Sequence, residues 1–165
     1  PRLILGLLVG TALATAGVIF QALLRNPLAD PYVLGVSGGA ALAGIAVLAL
    51  GGLFGLSTSF VPIAAFGGGL LATALLYWVS GGPGRSGPTG LLLTGVVFNA
   101  FASAGIVFLA SMAGFFDGSR IFLWLIGHLS AVVSASAGLV AVRVAIGFVG
   151  ACLLFPRLDL IALGD

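Results

Sequence analysis

Long apolar runs, separated by short polar interruptions, occupy most of the chain. Five of them approach the roughly 20 residues that a helix needs to cross a bilayer core about 30 Å thick. These runs cover residues 3–24, roughly 36–53, 60–80, 91–115 and about 135–155. They are rich in Ala and Leu and lack the alternation typical of barrel strands, so the pattern predicts five membrane-spanning helices.

The interval at residues 117–134, "DGSRIFLWLIGHLSAVVS", is apolar but interrupted by charged residues, a histidine and serines. We expect it to form a short helix at the membrane surface or between spans, with Trp124 suited to the membrane interface. The predicted fold class is therefore all-α. It is a single polytopic transmembrane helical bundle over residues 1–165, with about five membrane spans plus a short outer helix.

The composition supports a membrane protein. Hydrophobic residues make up 61% of the chain and charged residues only 6%, with a mean hydropathy of +1.31. Soluble domains carry about 25% charged residues, so a water-soluble surface is excluded. The six basic residues form no stripe interleaved with aromatic residues, and we therefore expect no nucleic-acid partner.

The single cysteine and the two chain ends give further expectations. Cys152 excludes an internal disulfide, and its apolar surroundings predict a buried, small hydrophobic residue. The chain opens with "PRLILGLLVG", without an initiator methionine, and stops abruptly at "LDLIALGD". We expect it to be a segment of a longer protein.

Twenty-seven glycines require a compensating benefit, because each costs about 0.5 to 1 kcal/mol in a helix interior relative to alanine. Small residues four apart allow membrane helices to approach closely, within one chain or across a dimer. Such spacing occurs in three pairs: Gly6 and Gly10, Gly35 and Gly39, and Gly51 and Gly55. Chance in a Gly- and Ala-rich chain explains any single pair equally well.

The stretch "QALLRNPLADPY" predicts a sharp turn between the first two helices. Asn26 precedes a proline, so the first helix should end around residues 24–25. Asp30 also precedes a proline, which is the arrangement of an N-cap followed by proline at the first helical position. Gln21 and Arg25 lie four apart on one helix face and can bond each other or the turn.

The arginines near span ends set a weak orientation. If the first helix runs from outside to inside, three arginines fall on the cytoplasmic side and two outside. This places the turn at residues 21–32 and the loop "SGGPGRSGPTG" inside the cell. Residues 117–134 are then outside.

Four blocks in order carry a resemblance to a known family: "GVIFQALLRNPLADPYVLGVSGGAALAG", "LLLTGVVFNAFASA", "RIFLWLIGHLS" and "PRLDLIALGD". The chain resembles the permease subunits of bacterial ABC importers for iron-siderophore complexes, haem and vitamin B12. The resemblance implies a multi-pass protein of the bacterial cytoplasmic membrane with about ten helices, of which this chain would be helices two to six. It also implies a homodimer, two cytoplasmic ATPase subunits and a periplasmic or lipid-anchored substrate-binding protein.

The resemblance also implies where the cytoplasmic gate lies. By position, Asn26 and Leu28 would form one gate element, and Pro88 with Thr89 the other. Pro88 departs from relatives that carry two small hydroxyl residues there, so only Thr89 keeps the matching polar group. Asn99 matches an asparagine on the helix that lines the path. From the residues alone, a mid-membrane amide is expected to bond another helix, and both roles stay open.

The remaining polar residues carry less specific expectations. Asp117 and Arg120 could form a local ion pair or, with His128, contact the substrate-binding protein. His128 is the only histidine and lacks partners for a metal site or for acid-base catalysis, so we predict no metal, cofactor or catalytic residue. Arg143 matches nothing in the family pattern and is expected to snorkel or pair with a polar group.

Function follows from these features. The chain has no phosphate-binding loop with lysine, so ATP would be hydrolysed on a separate subunit. It also lacks a convergent nucleophile and base, so it is not expected to be an enzyme. We predict a permease that translocates a metal chelate of the iron-siderophore, haem or cobalamin type; the sequence does not distinguish these substrates. Two alternatives stay open: a truncated membrane interaction module that does not transport, and an ion-coupled secondary transporter.

Overall fold

The computed structural model describes residues 2–30, 32, 34–81, 88–113, 115–127 and 134–163. No strand occurs among these residues, and the all-α prediction is confirmed. The α-helices are α1 (Arg2–Leu24), α2 (Val36–Leu50), α3 (Val61–Val79), α4 (Pro88–Met112), α5 (Phe115–Ile126) and α6 (Ser134–Leu163). Two 3₁₀ turns, Gly51–Phe54 and Thr58–Phe60, connect α2 to α3.

The helices have the lengths that a bilayer requires. Four stretches are long and apolar enough to cross a membrane by length and composition: Arg2–Leu24, Val36–Phe54, Thr58–Val79 and Thr89–Met112. A shorter apolar helix, Val140–Pro156, lies within α6. Four spans plus this helix agree with the predicted bundle of about five, and α5 is the short additional helix.

Two predicted boundaries differ from the structure. The fourth apolar run, predicted at residues 91–115, is a helix that begins earlier, at Pro88, and ends at Met112. Proline favours the first helical position because its missing N–H would be unpaired there in any case. The fifth apolar run, predicted at about residues 135–155, lies in α6. This helix continues to Leu163, well beyond the predicted end, and contains Pro156.

The chain forms two compact units. The first comprises residues 1–31 and 128–165, and within it α1 packs against α6. Its described core includes Leu24, Ala29, Ala151 and Leu158. Cys152 is exposed, so the expectation of a buried cysteine is wrong: the preceding residue faces the core, and the helix turns the next one outward. Arg143 is also exposed on α6.

The second unit, residues 32–127, is built around α2. Helices α2 and α3 cross at Gly39 and Gly68 with almost nothing between their backbones. A Cβ added to Gly39 would lie 2.8 Å from the Gly68 carbonyl oxygen, and one added to Gly68 would lie 2.5 Å from the Gly39 carbonyl oxygen. A Cβ on Gly39 would also meet the Ala72 side chain, and a Cβ on Gly68 would meet the Ala43 side chain. The prediction of close packing is confirmed for Gly39.

Helices α4 and α5 also contact α2 through its glycines. A Cβ on Gly38 would meet Asn99 and Ala102 of α4, at 2.5 and 3.2 Å. A Cβ on Gly44 would lie 2.8 Å from the ring of Trp124 on α5. The half-buried Trp124 therefore packs against α2 within the unit, and its suitability for the membrane interface stays a prediction. Helix α2 thus meets three neighbours over positions that have no side chain.

The other predicted glycine pairs differ from Gly35 and Gly39. A Cβ on Gly51 would lie 3.3 Å from the Leu56 carbonyl, which is a contact within the adjoining turn. A Cβ on Gly10 or Gly55 would meet nothing within 4 Å among the residues that the structure describes. For these two positions, a contact across a dimer stays a prediction.

Alanine substitutions at two adjacent glycines test the helix crossing. Gly68→Ala inserts a methyl group against the backbone of Gly39, and we expect the free energy of unfolding to fall by about 1 to 3 kcal/mol. Gly67 is the matched control because a Cβ there meets nothing within 4 Å. Gly67→Ala should leave stability unchanged or raise it by about 0.5 to 1 kcal/mol. Thermal unfolding in detergent measures both, and equal effects would contradict the crossing.

Candidate functional site

The connection after α1 begins with a tightly closed helix end. Arg25 has a φ of 49°, in the left-handed region, directly after the last helical residue. The Arg25 N–H donates to the Ala22 carbonyl at 3.3 Å, and the Asn26 N–H donates to the Gln21 carbonyl at 3.1 Å. This pair of bonds is the Schellman arrangement, usually built with glycine. The predicted end of the first helix, around residues 24–25, is confirmed.

Asn26 organises the turn that follows. Its side-chain oxygen accepts a hydrogen bond from the Leu28 N–H at 2.9 Å, and its carbonyl accepts one from the Ala29 N–H at 3.0 Å. An asparagine that bonds the backbone two residues later replaces a missing backbone partner and fixes the turn. The Gln21 amide donates to the Pro27 carbonyl at 3.0 Å, so Gln21 contacts the turn.

The turn presents one apolar side chain at its tip. Leu28 is 87% exposed, whereas the next residue, Ala29, is buried. The half-buried Asn26 holds the backbone of Leu28 in place. A rigid turn with a projecting leucine can close or line a path, and it contains no group for covalent or acid-base chemistry.

Asp30 does not cap the second helix, which corrects the prediction. Helix α2 begins at Val36, and its N-cap is Gly35, with a φ of 77° and no side-chain cap. The Gly35 N–H donates to the Tyr32 carbonyl at 3.4 Å, so a further turn precedes the helix. The exposed Asp30 lies five residues before Gly35 and is therefore not the N-cap residue of α2. Pro31, predicted at the first helical position, lies outside the described residues.

Asn99 lies halfway along α4 and is half-buried. Its side-chain amide donates to the Tyr32 carbonyl at 2.7 Å, and its side-chain oxygen faces Gly38 of α2. The amide therefore joins α4 to the chain in front of α2, which is the kind of contact that the residues alone favour. The path-lining role implied by the resemblance stays a prediction.

The residues of the predicted second gate element lie at the start of α4. Pro88 is its first residue, and Thr89 is exposed. A Cβ on Gly90 would lie 3.8 Å from the Ser80 carbonyl, so the end of α3 is close to the start of α4. Residues 82–87 of the intervening loop and the side chain of Pro88 lie outside the described part. This element belongs to the second compact unit and Leu28 to the first.

Arg120 marks the outer segment. It is exposed on α5 and lines a pocket of about 480 Å³ together with the hydroxyl residues Ser57 and Thr58. The rest of the pocket is mainly apolar, with Leu53 and Leu56 among its residues. A pocket lined by a cation, hydroxyl groups and apolar residues suits contact with an acidic or amphipathic surface.

The other predicted contact residues of this segment are not described. The side chain of Asp117 and the whole of His128 lie outside the described residues, so their predicted contacts stay predictions. Among the residues that the structure describes, no three His, Cys, Asp or Glu side chains cluster in a way that could hold a metal ion.

Comparison with known proteins matches the whole chain. The model of the FecCD transport family matches residues 1–165. The Fe(3+)-citrate import system permease protein YfmE of Bacillus subtilis is 37% identical over 167 residues, covering all of this chain and 48% of the relative. The Fe(3+) dicitrate transport system permease protein FecD of Escherichia coli is 40% identical, covering all of this chain and 50% of the relative.

A more distant relative and a solved structure extend the match. The cobalamin import system permease protein BtuC of Halobacterium salinarum is 36% identical over 129 residues, covering 78% of this chain and 34% of the relative. A solved structure assigned to the metal-chelate type of ABC transporter, in an inward-facing conformation, superposes with a TM-score of 0.87 at 26% identity. It covers all of this chain and 52% of that chain. The chain spans about half the length of the curated relatives it matches.

Arg25 offers a test of the helix end. A left-handed conformation costs a residue with a Cβ about 1 to 2 kcal/mol and costs glycine little. Arg25→Ala removes the same side-chain groups but keeps this cost, so it is the matched control. We expect Arg25→Gly to be more stable than Arg25→Ala by about 1 kcal/mol, measured by thermal unfolding in detergent. Equal melting temperatures would show that the turn does not hold this conformation.

Proposed function

The chain belongs to the FecCD transport family, and on that premise we propose that it forms part of the translocation path of an ATP-driven importer for metal chelates. The observation that carries the proposal is the family match over residues 1–165, joined to a helical fold shared along its whole length with a metal-chelate type transporter. Relatives of this family are permeases of the bacterial inner membrane, and the helices described above suit that location.

We further propose how the chain fits into the whole importer. It corresponds to helices two to six of a ten-helix permease that works as a homodimer. Two cytoplasmic ATPase subunits hydrolyse ATP, and a periplasmic or lipid-anchored binding protein delivers the substrate. The relatives named for ferric citrate and for cobalamin support a large metal chelate as the cargo. Siderophore complexes and haem belong to the same range of candidates.

The proposed mechanism is alternating access through a gate at the α1–α2 turn. Leu28 supplies the apolar tip that closes the cytoplasmic end of the path, and Asn26 keeps that tip in one conformation through its bond to the Leu28 N–H. A rigid turn can move only with the helices that carry it. The ATPases can therefore shift the gate only by binding its two states with different affinity. Pro88 and Thr89 are proposed as the second gate element.

The outer segment is proposed as the contact for the binding protein. Arg120 supplies a positive charge at the rim of a pocket next to the end of α2, where an acidic group of a partner could pair with it. Asp117 and His128 lie in the same outer segment of the sequence.

Purification and uptake measurements test the proposed function. The complete permease, expressed with its ATPase and binding protein, should retain the ATPase through purification. In proteoliposomes it should import one of four probes (ferric citrate, a ferric siderophore, haem or cobalamin) only when ATP is present. Loss of the ATPase during purification would favour a membrane interaction module. Uptake that follows an ion gradient in the absence of ATP would favour a secondary transporter.

Leu28→Ala tests the gate. Shortening the tip should raise the leak of the imported probe in the absence of ATP and lower the amount transported per ATP hydrolysed. The matched control is Leu3→Ala, because Leu3, near the start of α1, is 86% exposed, and Leu28, in the turn after α1, is 87% exposed. The control should leave both quantities unchanged. A wild-type leak and a wild-type ratio in Leu28→Ala would rule out a gate at this residue.

A further inference from the structure

The chain in front of α2 packs against the interior of α4. A Cβ on Gly35 would lie 2.7 Å from the Phe98 side chain and 3.4 Å from the Gly95 carbonyl oxygen. Gly95 lies about two turns into α4, or roughly 10 Å along the helix axis from Pro88. The non-helical residues that end at Gly35 are therefore at the level of a membrane-spanning stretch.

Non-helical backbone at that depth needs internal partners, because hydrocarbon supplies none. The Tyr32 carbonyl has a long bond of 3.4 Å from the Gly35 N–H and a short one of 2.7 Å from the Asn99 amide. Asn99 thus supplies the shorter bond, across 67 positions of sequence. An unsatisfied carbonyl in such a place would cost a substantial fraction of the stability of the unit.

The Asn99 side chain is also held from its other end. Its oxygen lies against Gly38, where an added Cβ would be only 2.5 Å away, and Ala102 closes the same space at 3.2 Å. Gly38 leaves room for the amide, and the amide fills that room. The orientation of Asn99 is therefore set by α2 and by the chain that leads into it.

We propose that Asn99 is a positioning residue of the importer, which fastens the start of α2 to the middle of α4. Through its bond to the Tyr32 carbonyl, Asn99 makes the start of α2 follow α4 when that helix moves. This inference rests on the proposed function and deepens it: movement of α4 is passed to the start of α2 through the Asn99 amide. The substrate does not need to contact Asn99.

Asn99→Asp tests the fastening with little change of shape. Assayed at a pH at which it is ionised, the introduced carboxylate accepts hydrogen bonds but cannot donate one to the Tyr32 carbonyl. In proteoliposomes of the complete importer, with the probe that the wild type imports, we expect ATP hydrolysis to persist. Transport per ATP should fall by roughly fivefold, the size expected for one lost hydrogen bond.

Thr94→Val is the matched control on the same helix. The Thr94 hydroxyl donates to the Gly90 carbonyl at 2.8 Å, a bond within α4 that fastens nothing else. We expect this variant to keep the wild-type ratio of transport to ATP hydrolysis.

A second route reaches the same bond without changing Asn99. Gly38→Ala places a methyl group against the Asn99 oxygen and should displace the amide, so the transport ratio should fall as in Asn99→Asp. The double variant should be no worse than either single variant, because both remove one interaction. This variant also serves if Asn99→Asp fails to assemble.

The outcomes separate the two proposals. A wild-type importer that takes up no probe with ATP overturns the proposed function. A working wild type, together with an unchanged transport ratio in Asn99→Asp and Gly38→Ala, overturns the fastening. A parallel fall of uptake, ATP hydrolysis and melting temperature would show that Asn99 serves stability alone, and would also overturn it.

Discussion

The backbone-to-backbone crossing of α2 and α3 at Gly39 and Gly68 is the contact on which the second unit depends. Lipid tails are as apolar as leucine, so membrane helices gain little from hiding apolar surface from one another and must gain from close packing instead. Glycine gives up helix propensity to allow that approach. Gly38 and Gly44 allow α4 and α5 to approach α2 closely in the same way. Helix α2 is therefore the central helix of the unit.

Close packing of α2 brings the Tyr32 carbonyl against α4, where the Asn99 amide donates a hydrogen bond to it. The chain in front of the helix packs about two turns along α4, and its Tyr32 carbonyl lies at the level of a candidate membrane span. One amide on α4 donates to that carbonyl, and Gly38 provides the space for it. Asn26 likewise fixes the preceding turn through a hydrogen bond to the backbone. The predicted gate turn is thus shaped by backbone hydrogen bonds as well as by the side chains it displays.

Local features could be predicted from the sequence, and features that depend on distant neighbours could not. The spans and the end of α1 follow from apolar run length and from Asn26 before a proline, which act within a few residues. The start of α2 does not, because Gly35 is placed by its fit against Phe98 and Leu76. The contact of Trp124 with Gly44 could not be predicted either, because Gly44 lies in another helix. The gate residues came from family resemblance alone, since nothing in an exposed leucine indicates a gate.

The glycine crossing also limits how the protein can change over evolutionary time. At Gly39 and Gly68 no smaller residue exists, so any substitution can only push α2 and α3 apart. The distance between the two helices can therefore only increase, and each such substitution lowers the stability of the unit. Trp124 against Gly44 is different, because an indole can be exchanged for many smaller side chains. The spacing of α2 and α5 can therefore change more freely than the spacing of α2 and α3.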